Sequence, residues 1–177
     1  MIITNLPDRF ARQVGDRSRA VRVLFVCLGN ICRSPAAEGL MLQTVEEAGD
    51  AADWVIDSAG TGGYHIGDLP DNRMRVHARR RGLELRHICR QIRQSDFDNF
   101  DLIFAMDDSN YRNLMNLAPT VEDQEKVYRM RDFFGDYSRF DYVPDPYYDG
   151  AEGFENVLDI LTDATRNLFD TVSSIRS

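Results

Sequence analysis

The hydrophobic pattern of the chain alternates between short apolar runs and longer stretches with helical spacing. Three runs that are rich in β-branched and aromatic residues have the length of buried strands: 23–26, 54–59 and 102–106. A fourth, shorter strand is predicted within 127–134. Strands that alternate with helices predict βαβ units, in which a parallel sheet is covered by helices on both faces.

Helices are predicted before, between and after these strands. Apolar positions three or four apart, bounded by glycine, proline or polar turn residues, delimit six segments: 7–13, 35–49, 73–82, 95–99, 109–116 and 154–173. The expected fold class is therefore α/β, a single three-layer domain with a central four-stranded parallel sheet flanked by helices. Ligands of such sheets bind at the carboxyl ends of the strands.

Composition narrows the classes of function. The 177 residues are 43% hydrophobic and 28% charged, which suits one soluble domain with a sizeable core. A net charge of -8 argues against a general nucleic-acid binder, because such proteins present a basic surface. Three cysteines in a chain with neither a signal peptide nor a long apolar run indicate a reducing compartment. We therefore expect a cytoplasmic protein without a membrane span.

The first 20 residues precede the first strand and are rich in arginine. Leu6, Phe10 and Val14 recur every four positions, as in a short amphipathic helix. We expect an N-terminal extension, 1–20, ahead of a domain that spans 21–177. The sequence leaves open whether the extension is a surface helix, a partly frayed tail or a helix that docks a partner.

The segment that follows the first strand carries the candidate chemistry. Cys27 ends the apolar run, a short loop spans 28–32, and Arg33 leads into Ser34 and a proline, where Ser34 is predicted to cap a helix. Successive backbone N–H groups in such a loop, together with the start of the helix, form a cradle for an anion. Arg33 can bind two oxygens of a tetrahedral anion, and the same field favours the thiolate of Cys27.

Residues inside and outside this loop complete the hypothesis. Gly29 and Asn30 tolerate the left-handed backbone that such a loop needs. If the bound anion is an ester that the thiolate attacks, its leaving oxygen needs a proton, so an acid should face the thiolate. Asp145 is the candidate, because prolines on both sides restrict its loop. The alternative is a solvated aspartate in a rigid turn.

Five segments of the chain resemble the low-molecular-weight protein tyrosine phosphatases. VLFVCLGNICRSPAAEG closely resembles the phosphate-binding loop of that family, and DPYY resembles its acid loop. The other matches are to a wall of the active site, a histidine segment that supports the loop, and a strand with its turn: WVIDSAGTGGYHIGD, RHICRQI and FDLIFAMDDSN. The resemblance extends over most of the chain after residue 20 and implies a phosphate-binding loop after the first strand.

The resemblance implies a role for each matching residue of the reaction. Cys27 would attack the phosphate and form a phosphocysteine intermediate, while Arg33 would bind the phosphoryl oxygens. Asp145 would protonate the leaving tyrosyl oxygen and then, as a carboxylate, activate the water that hydrolyses the intermediate. Ser34 would donate a hydrogen bond to the thiolate.

The resemblance also implies a support for the loop and a slot for the substrate. Asn30 would hold the loop backbone together with Ser58 and His87, and Asp107 would lie behind the site. The residues expected to bind substrate are Leu28, Gly29, Asn30, Ile31, Cys32, Ser34, Tyr64, Tyr147 and Tyr148. The three tyrosines would enclose a phenyl ring, which would explain a preference for phosphotyrosine over the shorter phosphoserine.

These roles imply hydrolysis of protein phosphotyrosine, and of small aryl phosphates, without a metal or a cofactor. The implied partners are phosphotyrosine-containing proteins and a tyrosine kinase that acts on the same proteins, and inorganic phosphate is the product. A further hypothesis is a reversible Cys27–Cys32 disulfide that switches the activity off. His65 and His77 have no comparable match and are expected at the surface.

Three alternative functions could use the same loop. An arsenate reductase needs further cysteines outside the loop to resolve its intermediate, and only Cys89 lies there. A phosphoarginine phosphatase carries threonine at the position of Ile31, and an apolar residue there favours the tyrosine ester. A non-catalytic phosphate-binding module should have lost Cys27, Arg33 or Asp145, and all three are present.

Overall fold

Four parallel strands form the centre of the molecule in the computed structural model, which describes residues 1–177. In chain order they are β1 Val21–Cys27, β2 Trp54–Gly60, β3 Leu102–Ala105 and β4 Val127–Arg129. Their spatial order is β2-β1-β3-β4, and every neighbouring pair is parallel. The predicted α/β class and the four-stranded parallel sheet are confirmed.

Seven helices precede, connect or follow the strands. They are α1 Asp8–Val14, α2 Arg33–Glu47, α3 Asn72–Arg80, α4 Asp96–Asn99, α5 Asp108–Leu117, α6 Val121–Gln124 and α7 Ala151–Arg176. Each predicted helix is present with small shifts at its ends, and α6 is an addition to the prediction. No helix combines the length and the apolar character that are needed to cross a membrane.

The side chains of β1 point alternately into two hydrophobic clusters, one on each face of the sheet. Phe25 belongs to the larger cluster, which includes the buried faces of α2 and α7. Val26 belongs to the smaller cluster, which α4 and α5 cover. Because both faces of β1 are buried from Val23 to Cys27, its sequence there is a continuous apolar run rather than an alternation of apolar and polar residues.

The carboxyl end of β1 is the point at which the strand order reverses. Since β2 lies on one side of β1 and β3 on the other, the chain segments that follow these strands leave a crevice at this edge. Cys27 lies at this end of β1, in register with Gly60 of β2. A Cβ atom at Gly60 would approach the carbonyl oxygen of Leu28 to 2.7 Å, so only glycine lets the loop after β1 pass this close.

The prediction of a fourth strand within 127–134 is wrong in its second half. The strand β4 ends at Arg129, and a 3-10 turn follows at Met130–Phe133. Met130 and Phe133 are both fully buried in the larger cluster. A 3-10 turn places residues three positions apart on one side, whereas a strand would point them to opposite faces.

The predicted role of Ser34 as a helix cap is also wrong. Helix α2 begins at Arg33, so Cys32 is the N-cap residue, and its side chain makes no capping hydrogen bond. The Ser34 hydroxyl lies in the first helical turn and contacts the side chains of Cys27 and Asn30 instead. The hydroxyl therefore belongs to the loop that precedes the helix.

The segment ahead of β1 packs against the rest of the protein. Phe10 of α1 is only 1% exposed, and its ring contacts Tyr128 edge-on at 5.4 Å and Phe133 at 5.6 Å between ring centroids. The Tyr128 hydroxyl donates to Gln13 at 2.6 Å. Near the end of the chain, Arg176 of α7 reaches this segment and donates to the carbonyl oxygens of residues 14, 16 and 19. The helix of the extension therefore covers one side of β4 and is tied to the end of α7.

We expect the substitution Phe10→Ala to lower the free energy of unfolding by about 3 to 5 kcal/mol, because it removes a buried ring and leaves a cavity. Ile2→Ala is the matched control, since Ile2 lies in the same segment and is 52% exposed. Chemical denaturation of both variants measures the difference. Equal stabilities for Phe10→Ala and Ile2→Ala would contradict a structural role for the extension.

Candidate active site

The backbone of the loop at 28–32 offers N–H groups to a ligand. None of these five N–H groups donates a hydrogen bond within the protein. Most carbonyl groups of the loop, and that of Cys27, instead accept hydrogen bonds from residues outside the loop. Four of them accept hydrogen bonds, from Thr61 N to Cys27 O, from Gly62 N to Leu28 O, from Cys89 Sγ to Asn30 O and from Asp71 N to Ile31 O. With the carbonyl oxygens turned outward, the free N–H groups form the binding site for an anion.

Asn30 fixes the turn of this loop. It is the only residue other than glycine with a positive φ, at 58°, and it is completely buried. Its side-chain oxygen faces His87 Nε2 at 2.7 Å and accepts from Arg90 N at 2.9 Å. Its side-chain nitrogen donates to Ser34 Oγ at 2.9 Å and to Ser58 Oγ at 3.0 Å. Every polar atom of the side chain is satisfied, so one rotamer and one backbone conformation are strongly favoured.

Gly29 does not adopt the left-handed backbone expected from the sequence, since Asn30 alone supplies it in this loop. Gly29 is instead a point of close approach. A Cβ atom there would lie 3.2 Å from the His65 ring, which packs over the loop from the segment after β2. The glycine therefore makes room for a neighbouring side chain.

Two carboxylates hold His87 from behind. His87 Nδ1 lies 3.2 Å from Glu38 and 3.5 Å from Asp57. Glu38 also accepts from the Ser58 hydroxyl, and Asp57 is paired with Arg90 at 2.9 Å. The side chains of Glu38, Asp57 and His87 lie close enough together to act as ligands of a metal ion. Each is already engaged by a protein partner, so the cluster acts as a support for the loop through His87.

The Cys27 thiol lies at the base of the loop beside Ser34. The two side chains are 3.0 Å apart between Sγ and Oγ. Because Ser34 Oγ accepts a hydrogen bond from Asn30, its own hydrogen can point either to Cys27 or to the carbonyl oxygen of Ala59, 3.3 Å away. A thiolate at Cys27 would attract this hydrogen and be stabilised by it.

Arg33 closes the loop and is held in one orientation. Its side chain is 3% exposed, and Nη1 donates to Asp107 at 2.7 Å and to the carbonyl oxygen of Val143 at 3.1 Å. Nη2 lies 3.5 Å from Asp145. Burial by itself would lower the pKa of Arg33, but Cys27 and Asp107 outweigh it and raise the pKa above its usual value. The guanidinium is therefore always charged.

The loop forms the floor of a pocket of about 380 Å³. The pocket lining includes ten of the predicted site residues: Cys27, Leu28, Gly29, Ile31, Cys32, Arg33, Tyr64, Asp145, Tyr147 and Tyr148. Asn30 and Ser34 were expected to touch substrate, but both are fully buried behind the loop surface. Ser58 and His87 contact Asn30, and Asp107 contacts Arg33. These five residues position the lining rather than form it.

The acid candidate and the tyrosines form the rim of the pocket. Asp145 is 47% exposed, and its Oδ1 accepts from the backbone N–H of Tyr147 at 3.1 Å. The rings of Tyr147 and Tyr148 meet edge-on at 4.9 Å. The guanidinium of Arg73 lies 5.2 Å from the Tyr147 ring, which links this rim to α3. Tyr64 lines the same pocket and is largely exposed.

Of the two histidines that were expected at the surface, His77 is not there. His65 is partly exposed as expected, but it also lines the pocket beside Tyr64 and lies 3.6 Å from Asp68. His77 is buried, stacks on Phe154 and contacts Glu155 at 2.7 Å. The position of His65 directly after a predicted pocket residue was the signal that could have found it.

The other two cysteines are buried and free. The Cys89 thiol donates to the carbonyl oxygen of Asn30 at 2.8 Å, and burial raises its pKa to about 11. Burial also raises the pKa of Cys32 far above its usual value, with Asp71 adding to the effect. Both are therefore neutral thiols at neutral pH.

Known proteins match this chain over most of its length. Residues 22–176 match the family model described as low molecular weight phosphotyrosine protein phosphatase. The enzyme of that name from Schizosaccharomyces pombe is 41% identical over 160 residues, which cover 88% of this chain and 99% of that protein.

Solved structures match it as well. A protein tyrosine phosphatase from Entamoeba histolytica superimposes with a TM-score of 0.84 at 44% identity, over 88% of this chain and 98% of that one. A Drosophila arginine phosphatase superimposes with a TM-score of 0.77 at 32% identity, over 84% of this chain and 95% of that one.

We expect Arg33→Lys to weaken the binding of inorganic phosphate by about 10- to 100-fold, because lysine keeps the charge but loses the planar pair of donors. Arg86→Lys, at an exposed position, is the control. Isothermal titration calorimetry of both variants gives the two affinities. Unchanged binding in Arg33→Lys would show that the anion does not contact this guanidinium.

Proposed function

The chain belongs to the low molecular weight phosphotyrosine protein phosphatase family, and we propose that its activity, the hydrolysis of phosphotyrosine, proceeds through a phosphocysteine at Cys27. The observation that carries the mechanism is a loop with five free N–H groups directly after Cys27, in one pocket with Arg33 and Asp145. Substrates of a protein-tyrosine phosphatase are phosphotyrosine-containing proteins, and phosphate is a product.

In the first step the Cys27 thiolate attacks the phosphorus atom of the bound ester. The new S–P bond forms as the P–O bond to the tyrosyl ring breaks, and Asp145 gives its proton to the leaving oxygen. The loop N–H groups and the Arg33 guanidinium bind the three remaining phosphoryl oxygens. Because these donors are fixed before the substrate arrives, they stabilise the charge of the transition state without reorganisation.

In the second step water hydrolyses the phosphocysteine. Asp145, now a carboxylate, removes a proton from the water as its oxygen attacks phosphorus, and the S–P bond breaks. The hydrogen bond from Ser34 stabilises Cys27 as the leaving thiolate. Inorganic phosphate remains in the loop until it dissociates, and the thiolate is ready for another cycle.

The rim supports a preference for aromatic esters. With the phosphate held in the loop, we expect the phenyl ring of phosphotyrosine to lie against Tyr64, Tyr147 and Tyr148, which line the same pocket. The side chain of phosphoserine is too short to span this depth while its backbone stays outside. We infer that the aromatic walls, rather than the loop, select the substrate.

Two alternative reactions have less support. The similarity to an arginine phosphatase makes phosphoarginine the closest competitor, but the apolar Ile31 lines the pocket and offers no polar group to a guanidino ester. Arsenate reduction needs a further pair of reactive thiols, whereas Cys89 is a buried neutral thiol bonded to the loop backbone.

We also propose a reducing, cytoplasmic setting, since all three cysteines are free thiols. A tyrosine kinase that acts on the same proteins would supply the phosphotyrosine. Within that setting, oxidation of Cys27 to the sulfenic acid could be trapped by Cys32 of the same loop as a disulfide. Because Cys32 is buried and neutral, we expect this trapping to require a local opening of the loop.

We expect Cys27→Ser to abolish the hydrolysis of phosphotyrosine and of a small aryl phosphate, because a serine hydroxyl lacks the nucleophilicity of a thiolate. Cys89→Ser is the matched control, since its hydroxyl can still donate to the carbonyl oxygen of Asn30. Both variants and the wild type are assayed in the presence of a chelator.

Comparable rates for wild type and Cys27→Ser, or a wild-type rate that returns only when metal is added, would contradict the mechanism. Rates on phosphoarginine in the same assay compare the closest alternative directly. A higher kcat/KM for phosphoarginine than for phosphotyrosine would assign the pocket to the other substrate.

A further inference from the structure

A second groove adjoins the phosphate pocket across the wall that Tyr64 and Leu28 form. It has a volume of about 340 Å³, and both of these residues line the groove as well as the pocket. Its far side is the exposed face of α5, where Asn113 and Leu117 lie. The groove is therefore continuous with the site that binds phosphotyrosine.

The conformation of the segment after β2 creates the wall between the two spaces. The Tyr64 ring folds back over Gly62, where a Cβ atom would approach the ring to 2.4 Å. At Gly63 a Cβ atom would lie 2.8 Å from the side-chain oxygen of Gln91. The two glycines thus let Tyr64 and Gln91 lie flat against the backbone, and a larger residue at either position would displace them.

The groove is uncharged throughout and its lining is mixed. Leu28, Ile92 and Leu117 are among its apolar residues, while Thr61 and the amides of Gln91 and Asn113 are its polar ones. Gln91 is fixed by its hydrogen bond to the carbonyl oxygen of Thr61 at 3.1 Å. None of the lining residues carries a charge, although charged residues make up 28% of the chain. Such a surface accepts an uncharged side chain and disfavours a carboxylate that would lose its water.

We propose that this groove binds an uncharged side chain, such as leucine, next to the phosphotyrosine in the substrate protein, and so selects among phosphotyrosine sites. The proposal rests on the proposed function, because the phosphotyrosine must first occupy the pocket. A substrate chain leaves the pocket over its rim and advances about 3.3 Å per residue when extended. One side of that rim is the wall shared with the groove, so a residue one or two positions from the phosphotyrosine reaches it.

A substrate segment fits the groove better than a second copy of the chain or a membrane surface does. The groove is small and concave, whereas a stable protein dimer buries about 800 Å² on each partner. Proteins bind a membrane surface through exposed clusters of lysine and arginine, and the groove has none. A single uncharged side chain matches both the size and the chemistry of the space.

The test uses phosphotyrosine peptides in which each position from -2 to +2 is in turn leucine, alanine, aspartate or lysine. At one flanking position we expect the wild-type enzyme to favour leucine over aspartate by about tenfold in kcat/KM, which corresponds to burying part of an apolar side chain. Rates are expressed relative to a small aryl phosphate, which is too short to reach the groove.

The substitution Asn113→Arg adds a positive charge to the edge of the groove, and at that same position the ratio of aspartate to leucine should rise about threefold. Asn116→Arg is the matched control, because Asn116 is exposed on the same helix and does not line the groove. A change confined to Asn113→Arg supports the proposal. No flanking preference, or equal changes in the two variants, would overturn it.

Binding of the same peptides to Cys27→Ser, measured by fluorescence polarisation, separates this proposal from the proposed mechanism. Leucine at the groove position should tighten binding to that inactive variant as it raises kcat/KM in the wild type. If the wild type fails to hydrolyse phosphotyrosine but the binding preference remains, the proposed mechanism is wrong and the groove proposal is supported. If turnover is normal and no binding preference appears, the groove proposal is wrong.

Discussion

Leaving the five N–H groups of the loop after Cys27 without a partner costs free energy, and much of the structure compensates for that cost. An isolated loop would turn some of these groups to its own carbonyl oxygens or to water. Here the carbonyl oxygens are already bound from outside by residues of the segments 61–62, 71 and 89. Asn30 is held in its left-handed conformation because every polar atom of its side chain is hydrogen-bonded. An anion is thus the ligand that completes the loop.

The same constraint links the loop to the groups that act on the substrate. Asp107 lies two residues after β3 and caps α5 through the backbone N–H of Asn110, and it also orients Arg33. Asp71 accepts from the backbone N–H of Arg73 at the start of α3, while its own N–H holds the loop carbonyl of Ile31. Arg73 in turn lies against Tyr147 on the rim. Binding of phosphate, position of the acid and width of the aromatic slot therefore depend on shared contacts.

The sequence predicted the parts of the structure that local chemistry determines. The apolar run before Cys27 and the residues after it define a strand, a loop and a helix, and the family resemblance added the distant Asp145. The sequence could not predict that Ser34 contacts a thiol instead of capping a helix, because a serine before a proline has the same sequence pattern in both cases. The packing of Phe10 and the place of His65 depend on segments far away in the chain. Tertiary contacts of this kind leave no periodic signal in one sequence.

The central claim is that phosphate passes through a covalent bond to Cys27, and trapping that bond tests it most directly. In Asp145→Asn, an aryl phosphate with a good leaving group should still phosphorylate Cys27, while the second step lacks the carboxylate that activates water. Rapid acid quenching followed by peptide mass spectrometry should then find phosphate on the peptide that contains Cys27, and none in Cys27→Ser. Phosphate on another residue, or turnover with no covalent phosphate at any time, would contradict the mechanism.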